Sequence, residues 1–285
     1  MVKNIVIILL LCFYASTSIL QLKSNLRRKL QATKESLTKE QEVQEFFEFM
    51  NQIRENPRSI IDKLKGVVAL FEGNTIKWPK SSGQWPQTTI EGPAAYQELI
   101  SYLESASPRK PLKWSEGIAK SCRDMAKNLK DNDMFEHQDS EGRKISKRMA
   151  DYGKYSGRIG ENLAAGKRSG RDSVIQLMVD DGTKSRGHRI NIMREDFGVA
   201  GVALSEHPTY GWMWVTNFAQ GFKSNNPADD EQAENAQKTT EEKDGKKTKS
   251  TQTTKTTNDA KTTPLTANLV KICIGLLSLL FSLSC

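Results

Sequence analysis

The sequence predicts an α+β fold class: one domain in which helices surround an antiparallel sheet. Two observations carry that expectation. Apolar residues recur at helical spacing from Val43 to Val179, and two β-like runs, 198–204 and 212–218, close the domain. Composition sets the frame. Of 285 residues, 37% are hydrophobic and 27% charged, too apolar for wholesale disorder and too polar for a polytopic membrane protein. The net charge of +8 comes without a dense Lys/Arg stripe, so nucleic acid is not an expected partner.

The elements follow in order. Val43, Phe46, Phe47, Met50 and Ile53 mark a first helix that Pro57 interrupts. Ile60, Ile61 and Leu64 mark a short second helix ending at Gly66. The stretch from Glu72 to Gly92 mixes Gly, Pro, Ser and Trp without a period and reads as a long loop. A third helix covers about Ala94 to Glu104. A fourth has Ser115 as N-cap and buries Ala119, Cys122, Met125, Ala126 and Leu129. A fifth spans Val174–Val179, capped by Asp172 or Ser173. The two strands then meet at a turn around Pro208 and Gly211, where His207 either packs or faces solvent.

The two ends read as processing signals. Lys3 precedes an unbroken apolar run from Ile5 to Tyr14 and then the small residues Ala15 to Ser18. This is the pattern of a secretory signal peptide, residues 1–18, and the run is too short for an ordinary membrane span. Residues 19–38 form a linker or pro-segment with a basic knot at Arg27, Arg28 and Lys29. Residues 39–224 are the folded domain. From 225 to 258 aromatics vanish and Thr, Lys and Glu dominate, as in a disordered stalk. Residues 259–285 combine a polar spacer with an apolar tail from Ile272 to Leu283. With the small triplet Asn258-Asp259-Ala260 before them, they read as the signal for a glycosylphosphatidylinositol (GPI) anchor, with Asn258 as the attachment site. Such a product is extracellular, tethered to the outer face of the plasma membrane. Both cleavages would leave Cys122 alone of the four cysteines, a small buried side chain rather than a nucleophile.

Three patches concentrate residues able to do chemistry. They are Phe135 to Arg143 with Arg148 beyond, the triplet Gly160-Glu161-Asn162, and Asp180 to Met193. A lone histidine is commonly a hydrogen-bonded structural group, and a Gly-Glu-Asn triplet is often a loop closing onto a helix. Their order, together with Pro111 to Trp114 upstream and Trp214 to Ala219 downstream, resembles the CAP superfamily (cysteine-rich secretory proteins, antigen 5, pathogenesis-related class one; the SCP domain). The similarity runs from about Phe46 to Phe222 and is greatest to the bacterial and protist branch, in which a GHR-x-N-I segment follows a DDG-x-x-x-R stretch.

The resemblance implies a three-layer α-β-α sandwich with a cleft holding His137, Glu161 and His188. A fourth acid falls on Asp180 or Asp181, and spacing favours Asp180. Aspartate is one methylene shorter than the family's glutamate, Leu177 replaces a large aromatic, and the family's disulfides are absent. Two neutral imidazoles facing one cleft could take a divalent cation such as zinc, with Glu161 and Asp180 orienting the site. The same groups could position water in a hydrolase. They could also simply hold loops to the sheet. No Ser or Cys nucleophile stands in a recognisable motif and no HExxH helix is present, so no catalytic residue is assigned. The leading expectation is an extracellular interaction or ligand-binding module whose partner is a protein or a lipid. A metal-dependent extracellular hydrolase is the second, and a sterol or lipid carrier the third.

Overall fold

The computed structural model describes residues 37–229 apart from 83. The expected signal peptide, most of the linker, most of the stalk, the anchor signal and Asn258 lie outside the described residues.

The elements run α1 (Lys39–Glu55), a 3-10 turn (Pro57–Ile60), α2 (Ile61–Val68), β1 (Phe71–Glu72), β2 (Thr75–Ile76), a 3-10 turn (Lys80–Ser82) and β3 (Gln87–Thr88). They continue with α3 (Pro93–Ser105), β4 (Lys113–Trp114), α4 (Glu116–Asp131), α5 (Ile145–Ala150), β5 (Gly153–Ala165), α6 (Gly170–Val179), α7 (Gly187–Met193), β6 (Val199–His207) and β7 (Gly211–Ser224). The main sheet has the order β4-β6-β7-β5, with β4 parallel to β6 and the other pairs antiparallel.

Strand alternation sorts the side chains into two cores. Ala200, Val202, Trp214 and Phe218 face one side and pack on α1, α3, α6 and α7; Phe46 stacks on Trp214 with ring centroids 4.8 Å apart. Ala203, Met213, Val215 and Ala219 face the other side and meet Ile118, Cys122 and Met125 of α4 and Met149 of α5. Helices therefore cover both faces of the sheet in an α-β-α sandwich, as the family resemblance implied.

Local chemistry explains the helix ends. Thr38 and Gln41 form a reciprocal capping box at α1. Ser115 accepts from the Ile118 amide at the start of α4, as its sequence position suggested. Three expectations change. Gly66 does not stop α2, which continues to Val68 because burial of Val67 offsets the roughly 1 kcal/mol cost of a helical glycine. The cap of α6 is Ser169, whose hydroxyl accepts from the Asp172 amide, rather than Asp172 or Ser173. The stretch from Glu72 to Gly92 is a small three-stranded sheet, β1-β2-β3, rather than a plain loop.

Candidate functional site

The triplet Gly160-Glu161-Asn162 lies inside β5, an edge strand paired with β7 from Gly153 to Ala165. The loop reading of the triplet is therefore replaced. Alternation along a strand sends successive side chains to opposite faces. Glu161 shares the face of Leu163, toward α4 and α5, and Asn162 shares that of Ala164, toward α6 and α7. Each face holds one of the two motif histidines, and His207 lies on the α4 side as well.

On the α5 side, His137 Nδ1 lies 2.9 Å from Glu161 Oε1. The other carboxylate oxygen accepts from Arg148 of α5, and both side chains are buried at 3% exposure. Arg148 also donates to the main-chain carbonyls of His137 (3.2 Å) and Arg143 (2.6 Å), so one guanidinium holds both the acid and the backbone of its histidine. The hydrogen bond that Glu161 accepts from the ring raises the His137 pKa above the usual imidazole value; partial burial and the Arg148 charge oppose it without reversing it. The His137 side chain is 60% exposed.

On the α7 side, Asp180 Oδ1 lies 2.7 Å from His188 Nδ1, and Oδ2 accepts from the His188 amide at 3.0 Å. Asp180 is not within a helical turn. It is the C-cap of α6 in the left-handed region, φ 56°, which turns its short side chain back onto the start of α7. The missing methylene is made up by that backbone reversal. Burial pushes the Asp180 pKa up, but its hydrogen bonds to His188 and the His188 charge outweigh burial and hold it below the usual aspartate value. Asp181, the other candidate, instead caps the Ile90 and Glu91 amides at 2.6 and 2.8 Å.

Asparagines link the halves. Asn162 donates to the His188 carbonyl at 3.0 Å and accepts from Asn191 at 2.9 Å. Adjacent residues of one strand thus anchor the two histidine segments, Glu161 through a ring and Asn162 through a backbone. The sequence patches contain Arg148, Asn162, Arg186 and Asn191, but no role for them is legible locally. Arg186 reaches Glu91, Glu98 and the carbonyls of Asp180 and Thr183, tying the turn before α7 to α3 and the strand excursion. Arg186 draws the Glu91 carboxyl down to about 2.

His207 lies at the end of β6 rather than in the turn, buried, with Nε2 2.9 Å from the Met134 carbonyl; it packs. The Cys122 thiol is buried, donates to the Gly201 carbonyl at 3.2 Å and has its pKa pushed up by burial. Neither histidine of the two pairs lines the cleft of about 210 Å³ between α4 and the 139–151 segment, whose walls are Asp124, Asp131, Asp139, Arg143 and Arg148.

Both imidazoles point Nδ1 at a carboxylate, the arrangement that orients metal-ligating histidines and leaves Nε2 as donor. Among the described residues, however, no group of three or more His, Cys, Asp or Glu is placed to hold a metal.

The family model of the cysteine-rich secretory protein family, CAP, matches residues 47–218. The chain belongs to that family. It is 28% identical over 157 residues to the uncharacterized protein YkwD of Bacillus subtilis (strain 168), across 53% of this chain and 58% of that one. The chain thus spans little more than half the length of this curated relative. Among solved structures, it is similar to an extracellular protein containing a SCP domain from Bacillus anthracis str. Ames, at 22% identity and TM-score 0.33, covering 48% of this chain and 45% of that one. An outer surface protein from Borrelia burgdorferi is 16% identical with TM-score 0.34, over 52% of this chain and 98% of the other.

Proposed function

We propose that this protein is an extracellular ligand-binding module, tethered to the outer face of the membrane by a GPI anchor and recognising its partner, a protein or a lipid, through the His137 and His188 edges of β5. The observation that carries this reading is the full engagement of both acids. Each oxygen of Glu161 and of Asp180 already accepts a hydrogen bond, so both carboxylates are engaged in holding the two histidine segments in place. That suits a rigid recognition surface. The imidazole faces remain for recognition, and His137 offers a cationic donor at mildly acidic pH.

A second reading is favoured by the shared Nδ1–carboxylate pairing: a divalent cation such as zinc bound by the two Nε2 atoms, which requires both rings to reach past the edge strand β5 that lies between them. Calorimetric zinc titration of the wild type, His137→Ala and His188→Ala tests it. Loss of binding in both variants supports a shared site; unchanged binding in both removes it. The tether is tested by the mass of the membrane-derived protein before and after phosphatidylinositol-specific phospholipase. Absence of a mass change and of release removes the anchor from this reading.

A further inference from the structure

The small β1-β2-β3 sheet carries side chains that the fold does not use. Ile76 is fully buried and Trp78 packs half-buried against the larger core, so the excursion is fixed at its base. Thr89 donates through both its amide and its hydroxyl to the Asn74 carbonyl, and Asn74 donates to the Ile90 carbonyl. From this fixed platform Trp85 projects at 88% exposure and Ile90 at 73%, the two most exposed large apolar side chains among the described residues.

Charge is as uneven as hydrophobicity. From Gly73 to Ile90 there is no Asp or Glu, while Lys77 and Lys80 are both exposed. Glu72, on β1 of the same sheet, is exposed, whereas the acids on the other side are turned inward. Asp181 caps the Ile90 and Glu91 amides, and Glu91 pairs with Arg186 and the Gly182 amide. The exposed indole of Trp85 next to Pro86, with Lys77 and Lys80 shortly before it in the chain, combines an apolar ring, a polar N–H and positive charge. That combination matches the headgroup layer of a membrane, where Trp sits at the interface and basic residues meet anionic lipid. A protein partner would more often present a pocket to a tryptophan held within a packed patch.

We propose that this face docks on an anionic lipid surface, with Trp85 and Ile90 entering the interface and Lys77 and Lys80 against the headgroups. The site uses none of the residues that hold His137 and His188, apart from the latch of Asp181 on the Ile90 backbone. It rests on neither the tether nor the cation.

The test uses residues 37–229, which carry the two hydrophobic cores found among the described residues. Flotation with phosphatidylcholine vesicles is compared with vesicles in which about a third of the lipid is phosphatidylserine. The expected result is binding to the anionic vesicles only, weakened by salt. Lys77→Gln with Lys80→Gln should lower partitioning about thirty-fold, at roughly 1 kcal/mol for each basic residue near the surface. Trp85→Ser should weaken it further with an unchanged thermal midpoint. Brominated acyl chains should quench wild-type emission, and most of that quenching should be lost in Trp85→Ser, because Trp85 is exposed while Trp78, Trp114 and Trp212 are half-buried and Trp214 is buried. The proposal is overturned by equal binding to both vesicles, by no binding, by wild-type binding in both variants, or by absence of quenching. It is also overturned if soluble polyglutamate is bound through Trp85 while vesicles are not, since the partner would then be an acidic protein.

Discussion

Arg148 donates both to the Glu161 carboxylate and to the main-chain carbonyl of His137, the residue whose ring that carboxylate binds. The histidine is thereby fixed at two points by one buried ion pair. The arrangement makes opposite predictions for its two members. Glu161→Gln replaces the carboxylate that raises the His137 pKa with a neutral amide, so that value should fall. Arg148→Met removes a charge that lowers it, so that value should rise. Titration of the His137 ring signal by NMR checks both signs. Either change breaks a buried pair and should cost about 3–5 kcal/mol in urea unfolding.

The two pairs should respond to pH in opposite directions. His137 has a folded pKa above its unfolded value, so its contribution is complete below the unfolded value, about 6.5, and is lost as pH rises through the folded one. Asp180 has a folded pKa below its unfolded value of about 3.9, so its contribution is present above that and disappears as pH falls through the folded one. Unfolding midpoints measured across pH should therefore show His137→Gln converging on the wild type in alkali. Asp180→Asn should converge on it in acid.

Asp180 adopts a backbone that most residues avoid, φ 56°, ψ 44°. Asparagine tolerates that region and keeps an acceptor for the His188 amide, whereas alanine does neither. Asp180→Ala should be less stable than Asp180→Asn by about 1–2 kcal/mol from the backbone alone. Thermal melts near neutral pH would show it, and equal melts would contradict the strained-cap account.

Gly201 lets α4 lie directly on β6. A Cβ there would stand 2.3 Å from the Ala119 nitrogen and 2.7 Å from its Cα, both backbone atoms of the helix. No side-chain rotation relieves that clash. Gly201→Ala should cost about 3 kcal/mol, at the upper end of ordinary overpacking, and differential scanning calorimetry should record a lowered midpoint.

Much of the scaffold was legible locally. Helical spacing located α1, α3 and α4, because each buries one stripe and its pattern lies within a few consecutive turns. The strands β6 and β7 were legible because they are apolar on both faces, but they run longer than expected, to His207 and Ser224. β5 was not, since residues 154–158 are exposed and polar and become a strand only by pairing with β7. The short helices α5 and α7 were also missed: six and seven residues are too few to show a period.

The sequence by itself determined the layered α+β plan and the segments that carry the two histidines, because amphipathic periods and turn residues act over short range. Only the tertiary structure decided which acid meets which ring. His137 and Glu161 are 24 positions apart and joined by packing of α5 on an edge strand, and Asp180 reaches His188 through a reversed backbone. Such pairings depend on where whole elements come to rest, and no local pattern of residues encodes that placement.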